Sequence, residues 1–239
     1  MAGRKMTKTI GMDRSIVPAC DMDDIKLFER LVKETSGIKK IGAYKIGFEL
    51  GLKYGLRKVV ETARKHTNKP LIYDHQKAGT DVPFTGEKFA KVCKEAGIDS
   101  VILFPQAGPE TEREWIKACK KHGLGVIVGG EMTHKAYLRS EGGFLLDEAP
   151  MMMYDVALRN GVNEFVVPGN KPEKISAYLG FFESRKIRAD LYSPGLVSQG
   201  GKISDSGKAA GARWHAIVGR GIYEAKDMKK AAQELCKEI

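Results

Sequence analysis

The chain has 239 residues, 42% hydrophobic and 29% charged, a profile that excludes a disulfide-stapled mini-protein and wholesale disorder. Forty Lys and Arg against 30 Asp and Glu leave a net charge of +10, which favours anionic partners without choosing between phosphates and nucleic acid. The first fifteen residues hold no apolar signal core, and no window reaches the roughly 18 apolar residues of a membrane span, so a cytoplasmic location is expected. Four well-separated cysteines, Cys20, Cys93, Cys119 and Cys236, form no C-x-x-C pair and no zinc spacing, and read as ordinary thiols.

From residue 15 onward, short β-branched or apolar runs alternate with longer amphipathic ones. SIVPAC (15–20) precedes a helical pattern over 23–35, AYKIGF (43–48) one over 50–66, and PLIYDHQ (70–76) one over 85–96. SVILF (100–104) is followed by a helix over 110–122, LGVIVGG (124–130) by one over 151–160, and EFVVP (164–168) by one over 172–186. RADLYS (188–193) leads to 205–211, and HAIVG (215–219) to 225–238. The strand candidates are near-continuously apolar, as strands buried on both faces must be. Eight such βα units predict an α/β fold, a (β/α)8 TIM barrel, as a single domain over 15–239 behind an N-terminal extension at 1–14. A doubly wound open sheet shares the repeat, because a sequence does not display closure. Residues 135–149, after the fifth strand, are either a loop over the barrel mouth or an added packing element.

In such a barrel the site lies at the carboxyl ends of the strands, where Asp21, Lys45, Asp74, Lys77, Asp81, Glu131, Thr133, His134, Asn170, Ser193, Gln199 and Arg220 fall. The densest cluster is YDHQKAGTD (73–81), in which carboxylates and an ammonium hold one another ionised. Its bland counterpart is a solvated turn with an incidental ion pair, worth about 0–1 kcal/mol. Lys45 sits in so apolar a strand that its ammonium must reach a carboxylate, a ligand or, by snorkelling, solvent. Asp21 serves equally as a helix cap or a ligand. The glycine-rich SPGLVSQGGK (193–202) and IVGRG (217–221) follow the seventh and eighth strands, where such barrels cradle phosphate, and Arg220 adds a donor fork. In EMTH (131–134), Thr133 can hydrogen-bond a heterocycle, while Glu131 and His134 are too few for a metal site, and none is assigned. Aromatic residues do not interleave with Lys and Arg, so nucleic-acid binding has only net charge behind it and is not expected.

Taken in order, these segments resemble orotidine 5′-phosphate decarboxylase from about residue 15 to the end, with SPGLVSQGG and IVGRGIY the most specific stretches. The resemblance implies a cofactor-independent barrel that converts orotidine 5′-monophosphate to UMP. It implies Asp21 and Lys45 on the ribose, Asp74, Lys77 and Asp81 as the catalytic array, and Thr133 reading the pyrimidine. Pro194, Gln199, Gly200, Gly201, Gly219 and Arg220 belong to the phosphate-binding loops. It further implies a homodimer in which Asp81 reaches the neighbouring site. One departure stands out: the usual D-x-K-x-x-D is here D-x-x-K-x-x-x-D, and Asp74 and Lys77 share a face only if the chain bulges or leaves the strand between them. Related Mg²⁺-dependent sugar-phosphate lyases and synthases share the phosphate loops, and a non-catalytic nucleotide-binding barrel is the other alternative.

Overall fold

Among the described residues, eight strands pair in chain order and the eighth closes on the first. They are β1 (Arg14–Cys20), β2 (Tyr44–Ile46), β3 (Leu71–Asp74), β4 (Ser100–Leu103), β5 (Gly125–Gly129), β6 (Glu164–Val166), β7 (Asp190–Ser193) and β8 (Trp214–Val218). The seam runs parallel from Arg14↔Trp214 to Pro18↔Val218, which makes the sheet a closed barrel and not an open, doubly wound one. The computed structural model describes residues 8–75 and 81–239.

The helices follow the periodicity closely, with one division and one short addition. The run expected over 50–66 is two helices, α2 (Phe48–Tyr54) and α3 (Leu56–Arg64), because Gly55 takes φ +75° and breaks the hydrogen-bond ladder there. Helix α1 (Ile25–Thr35) precedes them, and α4 (Thr85–Glu95), α5 (Pro109–Lys121), α6 (Ala149–Arg159), α7 (Pro172–Ser184) and α8 (Ile203–Ala209) follow. The run expected over 225–238 is α10 (Met228–Lys237), and a short helix not expected from the pattern, α9 (Arg220–Tyr223), precedes it directly after β8. Two helices are capped by aspartate: Asp24 accepts from the amides of Lys26 and Leu27, and Asp227 from that of Lys230. Asp21 is therefore not the cap of α1.

The strands carry two apolar faces. Outward residues such as Ile16, Ile46, Val101, Phe165 and Leu191 pack under the helices in the larger core. Inward residues Val17, Ala43, Ile72, Ile102, Ile127, Val166, Tyr192 and Ile217 fill the barrel. Below them, at the amino ends, lies a buried polar layer. Glu164 accepts from the Thr9 amide at 3.1 Å, from the Thr9 hydroxyl at 2.9 Å and from Tyr192 at 2.7 Å. The Ser15 hydroxyl is 2.8 Å from His215 Nδ1, and Asp190 accepts Lys8 at 2.8 Å and Arg213 at 2.9 Å. Residues 8–13 thus close the amino end of the cylinder, with Ile10 inserted into its interior. Among the described residues, the cavity at the strand ends opens at the carboxyl end of the barrel.

Residues 135–149 pack more than they hang. Leu138 is fully buried and bridges to Leu145, and the Tyr137 hydroxyl donates to the Gly130 carbonyl at 3.0 Å, while Phe144 is exposed at the tip. Among the described residues, no helix is long and apolar enough to cross a membrane.

One carboxylate of the fold is poorly placed for charge. Glu112, in the first turn of α5, is 2% exposed, and burial pushes its carboxyl up to about 8 against the opposing Arg113. A folded pKa above the unfolded value of 4.5 means that the native state holds the proton more tightly between those limits, so stability falls as pH rises through that window. Glu112→Gln is expected to melt with the parent chain below pH 4.5 and several degrees above it beyond pH 8, at about 2–4 °C per kcal/mol. Calorimetric melting across that range checks this, and a pH-independent gap would contradict it.

Candidate active site

The period of two along each strand determines which residues face the mouth. Val17 and Ala19 point inward on β1, and the next residue in that series is Asp21, just past the strand end. Ala43 points inward ahead of β2, so Lys45 does too, and Ile72 on β3 is followed by Asp74. The registers Ala19↔Lys45 and Lys45↔Ile72 set these three columns side by side. The Lys45 ammonium, 3% exposed, donates to Asp21 Oδ1 at 2.8 Å and to Asp74 Oδ2 at 2.6 Å. Burial alone would lower its pKa, but Asp74 and Asp21 outweigh burial and raise it above the ordinary lysine value. Lys45 is therefore a fixed positive charge, and the snorkelling alternative does not hold.

Across the mouth, the loop after β7 meets the loop after β5. Thr133 donates its hydroxyl to Gln199 Oε1 at 2.8 Å, which leaves the Gln199 amide nitrogen to donate elsewhere. Asn170 donates to the Thr133 carbonyl at 2.9 Å. The approach is close: Gly195 has φ +86°, and a Cβ there would lie 2.7 Å from Thr133 Cγ2. Val197 also holds a left-handed φ of 62°, constrained by its amide bonding to the Gly201 carbonyl at 2.8 Å. Glu131, 1% exposed, is held by Lys171 at 2.8 Å and by the Tyr178 hydroxyl, and Lys171 also bonds Glu141 at 2.5 Å. That chain of charges fastens the start of the Thr133 loop to the 3₁₀ turn at Arg139–Glu141.

These walls enclose a cavity of about 700 Å³, within the range of small-molecule sites. Asp21, Lys45, Asp74, Thr133, Pro194, Gln199, Gly219 and Arg220 all line it. Gly200 and Gly201 do not; their amides are engaged inside the loop, with the carbonyls of Val197 and Gly195. Asp81 is exposed and borders a neighbouring groove with Pro83, Ala107 and Pro109. Lys77 lies outside the described residues. Among those described, no three His, Cys, Asp or Glu side chains gather as a metal site would require.

A model of the orotidine 5′-phosphate decarboxylase / HUMPS family matches residues 14–235. This chain belongs to that family. It is 34% identical to the orotidine 5′-phosphate decarboxylase of Methanosarcina mazei, over 90% of this chain and 92% of the relative's. It is 30% identical to that of Methanococcus maripaludis, over 90% and 93%. The solved orotidine 5′-monophosphate decarboxylase of Methanocaldococcus jannaschii, in complex with the inhibitor BMP, superposes with a TM-score of 0.81 at 26% identity, covering 94% of this chain and 98% of that one.

The family's motifs account for most of the lining, but some functional geometry has no motif behind it. The Tyr223 hydroxyl donates to the Asp21 carbonyl at 3.1 Å and the side chain lines the cavity; the tyrosine of IVGRGIY was its only signal. The Glu131–Lys171–Glu141 chain joins residues 40 and 30 positions apart and leaves no local pattern.

Removing one member of a buried ion pair typically costs about 3–5 kcal/mol. Lys45→Met is therefore expected to destabilise the fold by about that much at neutral pH, read by denaturant unfolding. An unchanged midpoint would show that the ammonium is not held as described.

Proposed function

We propose that this chain decarboxylates orotidine 5′-monophosphate to UMP and CO₂, acting in the cytoplasm without a cofactor. One observation carries the reading. In a chain related over nearly its whole length to orotidine 5′-phosphate decarboxylases, a single cavity has an ammonium ion-paired to two carboxylates at one wall and Gln199 with Arg220 at the other.

The two walls divide the work. The Arg220 guanidinium, the Gln199 amide and the backbone at Gly219 grip the 5′-phosphate, far from the bond that breaks, and that remote binding energy is realised at the reacting end. Asp21 and Lys45 hold ribose hydroxyls, with Lys45 as donor and Asp21 as acceptor. The hydroxyl of Thr133 and the amide of Gln199 meet the polar edge of the pyrimidine. Asp74 faces the substrate carboxylate, where like charge opposes the bound ground state and is relieved as CO₂ departs. The C6–carboxylate bond breaks and leaves its electron pair on C6. Lys77 stabilises that carbanion and delivers a proton to it, so substrate plus one proton becomes UMP plus CO₂. A charge already in place needs no reorganisation when the carbanion forms.

Asp81 does not line the cavity of its own chain and is exposed on the adjoining groove. That placement supports a homodimer in which Asp81 reaches the ribose site of the neighbouring subunit and helps to keep its surroundings charged.

The purified chain is expected to deplete orotidine 5′-monophosphate absorbance in the presence of EDTA. A Mg²⁺-dependent sugar-phosphate enzyme of the same family would be inactive on it and sensitive to the chelator. Lys77→Ala is expected to lower turnover by at least about 10²–10³-fold. Arg220→Ala should act mainly through KM, because it removes a grip on the phosphate and no reacting group. Wild-type turnover by Lys77→Ala would overturn the mechanism, and UMP binding without CO₂ release by the parent chain would overturn the activity.

A further inference from the structure

The glycine-rich loop after β7 is held at its base by two buried side chains that do not line the cavity, Trp214 and Ser206. On β8, the indole N–H of Trp214 donates to the Ser193 hydroxyl at 2.9 Å, one residue ahead of Pro194. On α8, the Ser206 hydroxyl donates to the Gly169 carbonyl at 2.5 Å. The Lys202 carbonyl, one turn back, is a local alternative at 2.9 Å, but it already accepts the Ser206 amide and is the longer contact. Gly169 in turn donates its amide to the Pro194 carbonyl at 2.8 Å, which carries the β6–β7 pairing one step into the loop. The Gly169 carbonyl also lies against the loop's far end, since a Cβ on Gly201 would come within 2.9 Å of it. Gly207, next to Ser206, lets the indole in: a Cβ there would stand 2.7 Å from Trp214 Cζ3. One anchor thus holds the residue that starts the loop, and the other holds Gly169, which touches both of its ends.

We infer that Ser206 and Trp214 are positioning residues for phosphate binding: they fix the base of the 194–201 loop and so set where the Gln199 amide stands against the ligand. Residues 197–200 at the tip are exposed and have little packing of their own, so their place depends on the base. A loop ordered before the ligand arrives leaves less ordering cost to be met on binding, and that difference appears as affinity. Plain core packing is the competing account of both side chains. It predicts lost stability with affinity intact, whereas anchors of a binding loop change affinity in a chain that is still folded. The inference rests on the decarboxylase reading, in which this loop grips the 5′-phosphate.

The test uses the full chain and the variants Ser206→Ala, Trp214→Phe and Ser193→Ala, with Ser204→Ala, an exposed hydroxyl on the same helix, as the control. UMP affinity is expected to fall about tenfold in each of the three and to stay within about twofold in the control. KM for orotidine 5′-monophosphate should rise in step while kcat stays within about twofold, the pattern of a weakened distant grip. Trp214→Phe and Ser193→Ala remove the two ends of one hydrogen bond, so the double variant should bind UMP no more weakly than the weaker single one. Amide hydrogen exchange over 194–201 should quicken in all three and stay unchanged over 71–74. Unchanged UMP affinity in Ser206→Ala and Trp214→Phe, even with a lowered melting temperature, would overturn the inference. So would a fall in kcat with KM unchanged, or full additivity in the double variant. A parent chain that binds UMP but releases no CO₂ sinks the decarboxylase reading and leaves UMP affinity to judge the anchors. If Trp214→Phe does not fold, Ser206→Ala and Ser193→Ala decide on the same measurements.

Discussion

An ammonium withdrawn from water loses several kcal/mol of solvation, and it stays charged only where well-placed acceptors make up that loss. Lys45 has two, Asp21 and Asp74, and neither is its neighbour in sequence. They arrive because β1 and β3 flank β2 in a closed parallel sheet with registers that bring three inward columns level. A slip of one residue in any of these strands would turn its column outward into the helix layer and break the group apart. The register of the barrel and the charge of the site are thus one constraint. Lys45 consequently stays protonated at neutral pH, held between its two carboxylates.

The barrel's two ends handle polarity in opposite ways. At the amino end, Glu164, Asp190 and His215 are buried and consumed by internal partners, including Thr9 and Lys8 from the segment ahead of β1. Those groups have little left to offer a ligand. At the carboxyl end, polar groups converge on a cavity, and the loop that forms its far wall holds a valine in a left-handed conformation. Strain of that kind persists where neighbouring contacts dictate the backbone, here the Val197–Gly201 hydrogen bond and the close packing of Gly195 on Thr133. A binding wall built so is set before any ligand arrives.

How much of this was legible in the sequence depended on whether the signal was local. Strand runs, helix periodicity and the two glycine-rich loops are local, and the eight βα units followed from them. The division of 50–66 was missed because Gly55 interrupts an otherwise continuous amphipathic pattern and only its positive φ makes it a break. Asp21 was open between cap and site, and the cap proved to be Asp24, three residues on, whose side chain reaches the first helical amides. The strand pattern also showed that Lys45 needed a partner without showing that Asp21 and Asp74 share it, since that follows from closure. The Glu131–Lys171–Glu141 chain joins positions that only the folded chain brings together.

The central claim is that a nucleotide spans this cavity, its phosphate against Arg220 and its ribose beside the Asp21–Lys45–Asp74 group. A crystal structure of the chain with UMP tests that directly. The account places the phosphate within hydrogen-bond distance of the Arg220 guanidinium and the Gln199 amide, with ribose hydroxyls on Asp21 and Lys45. UMP bound elsewhere, for example in the basic groove at Lys186 and Arg188 by the amino end of the barrel, or bound in the cavity with its phosphate at Lys45, would contradict it.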